Sequence, residues 1–137
     1  MIYVTIPDQF FDEERLERFR RRLPMYRQIE FFQGYDVVKA QYLLHLLKRQ
    51  AEEIEVEPLA RAYGFWPDQS FFFFRVDVQG AMSSRINLLR PLIGIYGMQY
   101  PLIDGLHRLY KAVRTGQLLL PCMYLSPEEA RLCVRTW

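Results

Sequence analysis

The most constraining feature of this chain is a turn between a predicted strand and a predicted helix. The apolar run 101–103 meets an Asp-Gly turn and then restarts with helical spacing, which predicts a helix over 106–114. The first N–H groups of a helix lack internal partners and lie at the positive end of its dipole, where they attract anions. His107 and Arg108 fall in that first turn. The sequence therefore predicts an anion site there.

Length and composition limit the classes of protein that the chain can be. At 137 residues we expect one domain, with subregions 1–68 and 69–137. Hydrophobic residues make up 50% and charged residues 25%, which excludes disorder as the dominant state. A net charge of +2 is too small for a general polyanion binder. Any binding of nucleotide or nucleic acid must be local.

The cysteines and the apolar runs indicate where in the cell the protein is found. Cys122 and Cys133 have neither zinc-site spacing nor the number needed for a disulfide framework, so we expect free thiols. No apolar run approaches the roughly 20 residues of a membrane span, and the N-terminus lacks a secretory pattern. We expect a cytoplasmic protein that does not contact membrane.

The first half of the chain predicts one strand and two helices. Alternation over 2–6 predicts a strand, and acids followed by arginines over 12–23 predict a helix. Apolar residues at helical spacing over 37–54 predict a long second helix, with His45 on its surface. The first helix carries a basic cluster for which a solvated face is favoured, with contact to phosphates or an acidic partner left open. Its members are Arg15, Arg18, Arg20, Arg21 and Arg22.

The second half begins with turn signals and aromatic residues. The stretch 58–68 predicts a connection and an internal boundary, and 71–78 predicts a strand that is buried or forms a dimer face. Further strands are predicted over 92–96, 100–103 and 118–124. Ser126-Pro127-Glu128-Glu129 predicts the start of a short helix.

This succession of elements around Asp104-Gly105-Leu106-His107-Arg108 resembles the ParB/sulfiredoxin-like superfamily, and most closely its small stand-alone ParB-like members. The resemblance covers roughly residues 71–130 and takes in Arg75-Val76-Asp77 and Arg90-Pro91-Leu92-Ile93. It implies an α+β fold in which a small mixed sheet is flanked by helices. Residues 1–68 would add an N-terminal strand and a helical extension.

The resemblance also implies a ligand. In that superfamily the turn holds nucleotide phosphates: partition proteins use Gly-Glu-Arg-Arg with CTP, and sulfiredoxins use Gly-Cys-His-Arg with ATP. Gly105, His107 and Arg108 match, so CTP or ATP, with or without Mg²⁺, is implied as ligand. Leu106 stands where those families carry a thiol or a carboxylate, which argues against sulfiredoxin activity and against nucleotide hydrolysis. No metal site and no catalytic residue are predicted.

Three residues in or next to this motif have two interpretations each. Asp104 could replace the missing carboxylate, but an Asp before Gly is also an ordinary turn residue, and that interpretation is favoured. Lys111 could extend the phosphate contact or be a solvated lysine. His107 could donate to a phosphate or cap a loop carbonyl.

Three functional hypotheses follow. The first is a ParB-like module that binds a nucleotide or a nucleic-acid phosphate at Gly105, His107 and Arg108, with Asp104 and Lys111 assisting, in DNA-linked or mobile-element processes. The second is a non-enzymatic interaction module with a relic phosphate site, which binds a partner or a second copy through Trp66 and 71–74. The weakest is a nuclease or NTPase, because Asp77 and Asp104 are isolated carboxylates.

Overall fold

The protein has an α+β fold in the computed structural model, which describes residues 12–23, 31–32, 34–69 and 76–134. The helices of the described residues are α1 (Glu13–Arg21), α2 (Val37–Leu46), α3 (Val56–Ala62), α4 (Val78–Ala81), α5 (Leu106–Arg114) and α6 (Pro127–Arg131). The strands are β1 (Phe31–Phe32), β2 (Tyr35–Asp36), β3 (Glu52–Glu55), β4 (Leu92–Ile95), β5 (Leu102–Asp104) and β6 (Leu119–Leu125).

A mixed sheet of four strands organises the fold, in the order β3-β6-β4-β5. Strand β6 lies inside the sheet, antiparallel to β3 and parallel to β4, with Ile93 opposite Met123. Strand β5 returns antiparallel along β4, with Ile93 opposite Asp104. The sheet therefore ends in β5, whose last residue leads directly into Gly105 and α5.

Helices cover both faces of this sheet. Leu92 and Leu102 pack with residues of α3, α4 and α5 in one apolar cluster. Ile93 and Ile103, the next residue along each strand, pack with residues of α2 and α6 in a second cluster. Adjacent residues of a strand point to opposite faces, so both faces of β4 and β5 are buried. This burial fixes the position at which β5 ends and α5 begins.

The predicted strand, turn and helix at 101–114 are confirmed. Helix α5 begins at Leu106 and ends at Arg114, and Gly116 follows it with φ +74°. The start of α6 is confirmed as well, since the Ser126 hydroxyl accepts from the Glu129 N–H while the Glu129 carboxylate accepts from the Ser126 N–H.

The predicted first helix is confirmed, but its arginines do not form one solvated cluster. Arg20 lies inward and donates to the Asp36 carboxylate at 2.8 Å, with Glu17 at 3.4 Å. Asp36 in turn caps the N-terminus of α2. Arg20 therefore joins α1 to α2, while Arg18, Arg21 and Arg22 remain exposed.

The predicted long helix over 37–54 is wrong in its second half. Helix α2 ends at Leu46, and Lys48 adopts a φ of +49°, a conformation that stops a helix. The chain then forms β3, in which Ile54 lies opposite Leu120. Pairing with β6 leaves Ile54 partly buried against the core, and Glu53 and Glu55 are exposed on this edge strand. The apolar residues that recur every three or four positions over 37–54 therefore belong partly to a helix and partly to a strand.

Two predictions around the aromatic segment are wrong in part. Residues 58–62 belong to α3, so the turn-rich connection predicted over 58–68 is confined to 63–68, where Tyr63 and Phe65 are packed in the core. The Tyr63 hydroxyl accepts from the Leu102 N–H at 2.9 Å, which ties this segment to β5. Asp77 caps α4 instead of continuing a strand through Val78.

The predicted strand over 2–6 and the aromatic run 71–75 lie outside the described residues. In the part of the chain that the structure describes, no helix has the length and apolar character needed to cross a membrane.

Candidate anion-binding site

A cavity of about 520 Å³ opens at the N-terminus of α5 and is called the α5 cavity here. The loop after α4 and the residue before β4 form its outer wall. Four of the five predicted site residues line it together: Asp104, Gly105, His107 and Arg108. The structure thus places the predicted motif on one concave surface.

Gly105 allows the sharp entry into α5. Its φ is +109°, in the left-handed region that side chains disfavour. A Cβ atom built on it would overlap the Leu92 side chain and crowd the Arg108 guanidinium. Gly105 also offers no side chain to cap α5, so the first-turn N–H groups face the cavity end of the helix without a side-chain acceptor.

Arg108 is the residue that most distinguishes this site. It is only 5% exposed, yet its Nε and Nη2 have no hydrogen-bond partner among the residues that the structure describes. Nη2 lies 3.1 Å from Asp104 Oδ2, which is close enough for charge attraction but misaligned for a hydrogen bond. Buried guanidinium N–H groups almost always have acceptors, so this pair of donors indicates a missing partner.

Asp104 is the centre of an ion-pair group instead of a turn residue bonded to its own backbone. Its Oδ2 accepts from Arg90 Nη2 at 3.1 Å and from Gln41 Nε2 at 3.5 Å, and faces Arg108. One carboxylate is thereby shared by two guanidinium groups. Arg85 adds a third arginine to the wall, so positive charge exceeds negative charge in the cavity.

His107 joins α5 to the start of α4. Its Nε2 accepts from the Asp77 N–H at 3.2 Å, which leaves Nδ1 as the ring nitrogen that can donate. In both interpretations from the sequence His107 donates a hydrogen bond, whereas in the structure its Nε2 accepts one. The Nδ1–H is the group through which His107 can donate to a ligand.

Lys111 does not line the α5 cavity. Its Nζ donates to the carbonyl oxygens of Ser83 at 3.1 Å and Ile86 at 2.8 Å. These bonds hold the loop that forms the outer wall of the cavity against α5. Lys111 therefore stabilises the wall of the cavity without lining it, and it lies one helical turn beyond Arg108.

Sequence reasoning missed two arginines and a glutamine of this site. Arg90 precedes Pro91 at the entry to β4, and Arg85 lies in an irregular loop, so neither falls in a periodic pattern. Gln41 lies on α2, 63 residues before its acceptor Asp104. The one available signal was Arg90, which stands two residues before a predicted strand that neighbours the motif.

The chemical groups assembled here suit binding of an anion. Among the described residues no three His, Cys, Asp or Glu side chains come together as a metal site. Burial raises the pKa of both the Cys122 and the Cys133 thiols to about 12, so neither supplies a thiolate near neutral pH. The arrangement offers guanidinium donors, first-turn amides and a net positive wall.

Comparison of the chain with protein-family models, with curated proteins and with solved structures finds no match. The resemblance to the ParB/sulfiredoxin-like superfamily thus rests on the motif and on the order of elements around it.

Proposed function

We propose that this chain is a binding module that holds a nucleotide, or a nucleic-acid phosphate, in the α5 cavity. The observation that carries the proposal is the buried guanidinium of Arg108, whose Nε and Nη2 have no acceptor. Both atoms are shielded from solvent in the unliganded protein, so a phosphate at the start of α5 would accept from them after the Arg108 side chain turns toward the cavity. Guanidinium and phosphate then match as a bidentate pair.

The energetics favour an anion in this position. A buried donor without a partner costs about 1–3 kcal/mol, and more for a charged group, so a ligand that supplies acceptors recovers that amount. The α5 dipole adds about 0.3–1 kcal/mol for a negative charge at its N-terminus. Arg85 and Arg90 in the wall offset the repulsion from Asp104.

The ParB-like resemblance supports CTP or ATP as the nucleotide and a role in DNA-linked or mobile-element processes. We assign the module binding without hydrolysis, for two reasons. Leu106 provides neither nucleophile nor carboxylate, and the Asp104 carboxylate is engaged by Arg90 and Arg108.

Isothermal titration with CTP, ATP and a short DNA tests the proposal. We expect at least one of them to bind, and Arg108→Met to weaken that binding roughly 10- to 100-fold, the equivalent of one charge-assisted hydrogen bond. Arg131→Met is the matched control, because Arg131 is an exposed arginine on α6 that does not line the cavity. We expect it to leave the affinity unchanged.

Two results would contradict the proposal. One is the absence of binding to all three ligands, which would leave the non-enzymatic interaction module as the better hypothesis. The other is an equal loss of affinity in both variants, since a general effect of positive charge would then explain the binding.

A further inference from the structure

The α5 cavity is one of three neighbouring cavities. A central cavity of about 600 Å³ shares Arg90 and Asp104 with it, so the two cavities have a common wall. A third cavity of about 270 Å³ shares His45 and Leu46 with the central one and lies against α1. The three cavities are therefore neighbours, and together they are called the groove here.

Positive charge lines this groove at both ends. Arg15 and Arg18 on α1, and Arg22 directly after it, line the third cavity. Arg85 and Arg108 line the α5 cavity, and Lys48 and Arg90 line the central one. Among the described residues that line the groove, Asp104 is the one carboxylate. The whole chain has 18 basic and 16 acidic residues, so this surface is far more basic than the chain average.

The α1 arginines share one helix face. Positions 15, 18 and 22 recur at helical spacing, and their residues line the third cavity together with Phe19. In contrast, Arg20 points to Asp36, and Arg21 does not line the groove. The basic surface is thus one face of α1 and not the helix as a whole.

Apolar side chains lie among the polar ones in the middle of the groove. Leu44, Ile93 and Met123 line the central cavity, and Arg49, also in its wall, is neutralised by the buried carboxylate of Glu129 at 2.6 Å. At the junction with the third cavity the rings of Phe19 and His45 stack at a centroid distance of 6.1 Å. The groove thereby alternates basic, aromatic and apolar surfaces.

We infer that the groove binds a single-stranded nucleic acid, with one phosphate at the start of α5 and others along α1; this inference rests on the proposed phosphate site. A single strand alternates phosphates and flat apolar bases, as the groove alternates arginines and apolar surface. A base of a duplex is stacked and paired, so it would not enter the central cavity. An acidic protein segment would match the arginines but carries no regular flat rings for the apolar middle.

Fluorescence anisotropy with a labelled single strand of about ten nucleotides, measured over a range of salt concentrations, tests this inference. CTP binding by the same protein serves as the reference for the phosphate site alone. We expect the strand to bind at least about tenfold more tightly than CTP. We expect log Kd to rise with log salt concentration by about 0.7 for each phosphate contact.

A set of α1 variants localises the contacts. Replacing Arg15, Arg18 and Arg22 with Ala removes three exposed cations and should lower the salt slope for the strand by about two, at about 0.7 per contact. CTP affinity should not change in this variant. Arg18→Ala and Arg21→Ala form a matched pair, since each arginine lies four residues after a glutamate on α1. We expect the first to weaken strand binding and the second to leave it unchanged.

The outcomes separate this inference from the proposed function. If CTP binds but the strand binds no more tightly, or if Arg18→Ala and Arg21→Ala behave alike, the inference is overturned and the phosphate site stands. If a duplex of the same sequence binds as tightly, or polyglutamate competes as well as the strand, the inference is overturned in favour of that partner. If neither CTP nor strand binds, the phosphate site fails too.

Discussion

The replacement Arg108→Met gives the most informative test of stability. Arg108 is 5% exposed, and Met fills a similar volume with an unbranched apolar chain. The replacement removes two buried donors that have no acceptor, each of which costs about 1–3 kcal/mol in the unliganded protein. It also removes the attraction between Arg108 and Asp104 across 3.1 Å.

These two effects nearly balance. Asp104 keeps Arg90 at 3.1 Å and Gln41 at 3.5 Å, so removal of Arg108 does not leave its carboxylate alone. Apolar replacements of buried charged groups are neutral or stabilising by about 1–4 kcal/mol when no opposite charge is orphaned. We therefore expect the free energy of unfolding of the unliganded protein to stay constant or rise by up to about 2 kcal/mol.

Urea denaturation followed by circular dichroism measures this change. Asp104→Asn provides the contrast, because it leaves Arg90 and Arg108 facing each other without their carboxylate. We expect that variant to lose about 3 kcal/mol. Ligand should stabilise the wild type by about 2.7 kcal/mol at 100 times its Kd and Arg108→Met far less. A loss of more than about 2 kcal/mol in unliganded Arg108→Met would refute the reasoning, since the guanidinium would then hold the fold together.

Three further predictions concern the surroundings of the site. Arg49→Met should lower the free energy of unfolding by about 3–5 kcal/mol in urea denaturation, because it orphans the fully buried Glu129 carboxylate, and a loss under about 1 kcal/mol would contradict this. Gly105→Ala should cost at least about 2 kcal/mol more than Gly116→Ala by the same assay, since both have positive φ but only Gly105 lacks room for a Cβ; equal costs would contradict this. Burial raises the pKa of Cys133 to about 12, so the unfolded chain loses this proton first and stability should fall as pH rises from about 9 toward 12. Cys133→Ser should show a smaller fall between about pH 8 and 11, and an identical fall would contradict the assignment.

Local signals in the sequence predicted the part of the fold that carries the site. The bounds of α5, the left-handed Gly105 and the capping of α6 each depend on residues adjacent in the chain. The strands β4 and β5 were predicted for the same reason, since each is a short apolar run ended by turn residues. Motif residues at 104–108 came together because a single turn holds them.

The remaining features depend on contacts between distant residues. Whether Ile54 lay on a helix or a strand was decided by the pairing of β3 with β6, which lies more than 60 residues further along the chain. Likewise, Gln41 and Arg90 reach Asp104 only because α2 and β4 pack beside β5. The spacing of residues along the chain does not predict such contacts between distant side chains. The ion-pair role of Asp104 could therefore not be distinguished from an ordinary turn role beforehand.

The most direct measurement of the central claim is the nuclear magnetic resonance signal of the Arg108 Nε–H during titration with CTP, assigned by its loss in Arg108→Met. We predict that this signal shifts on binding, together with the backbone amides of Leu106, His107 and Arg108, because a phosphate oxygen becomes the acceptor that the buried guanidinium lacks. Saturating nucleotide that shifts other signals and leaves the Arg108 Nε–H unmoved would contradict the claim.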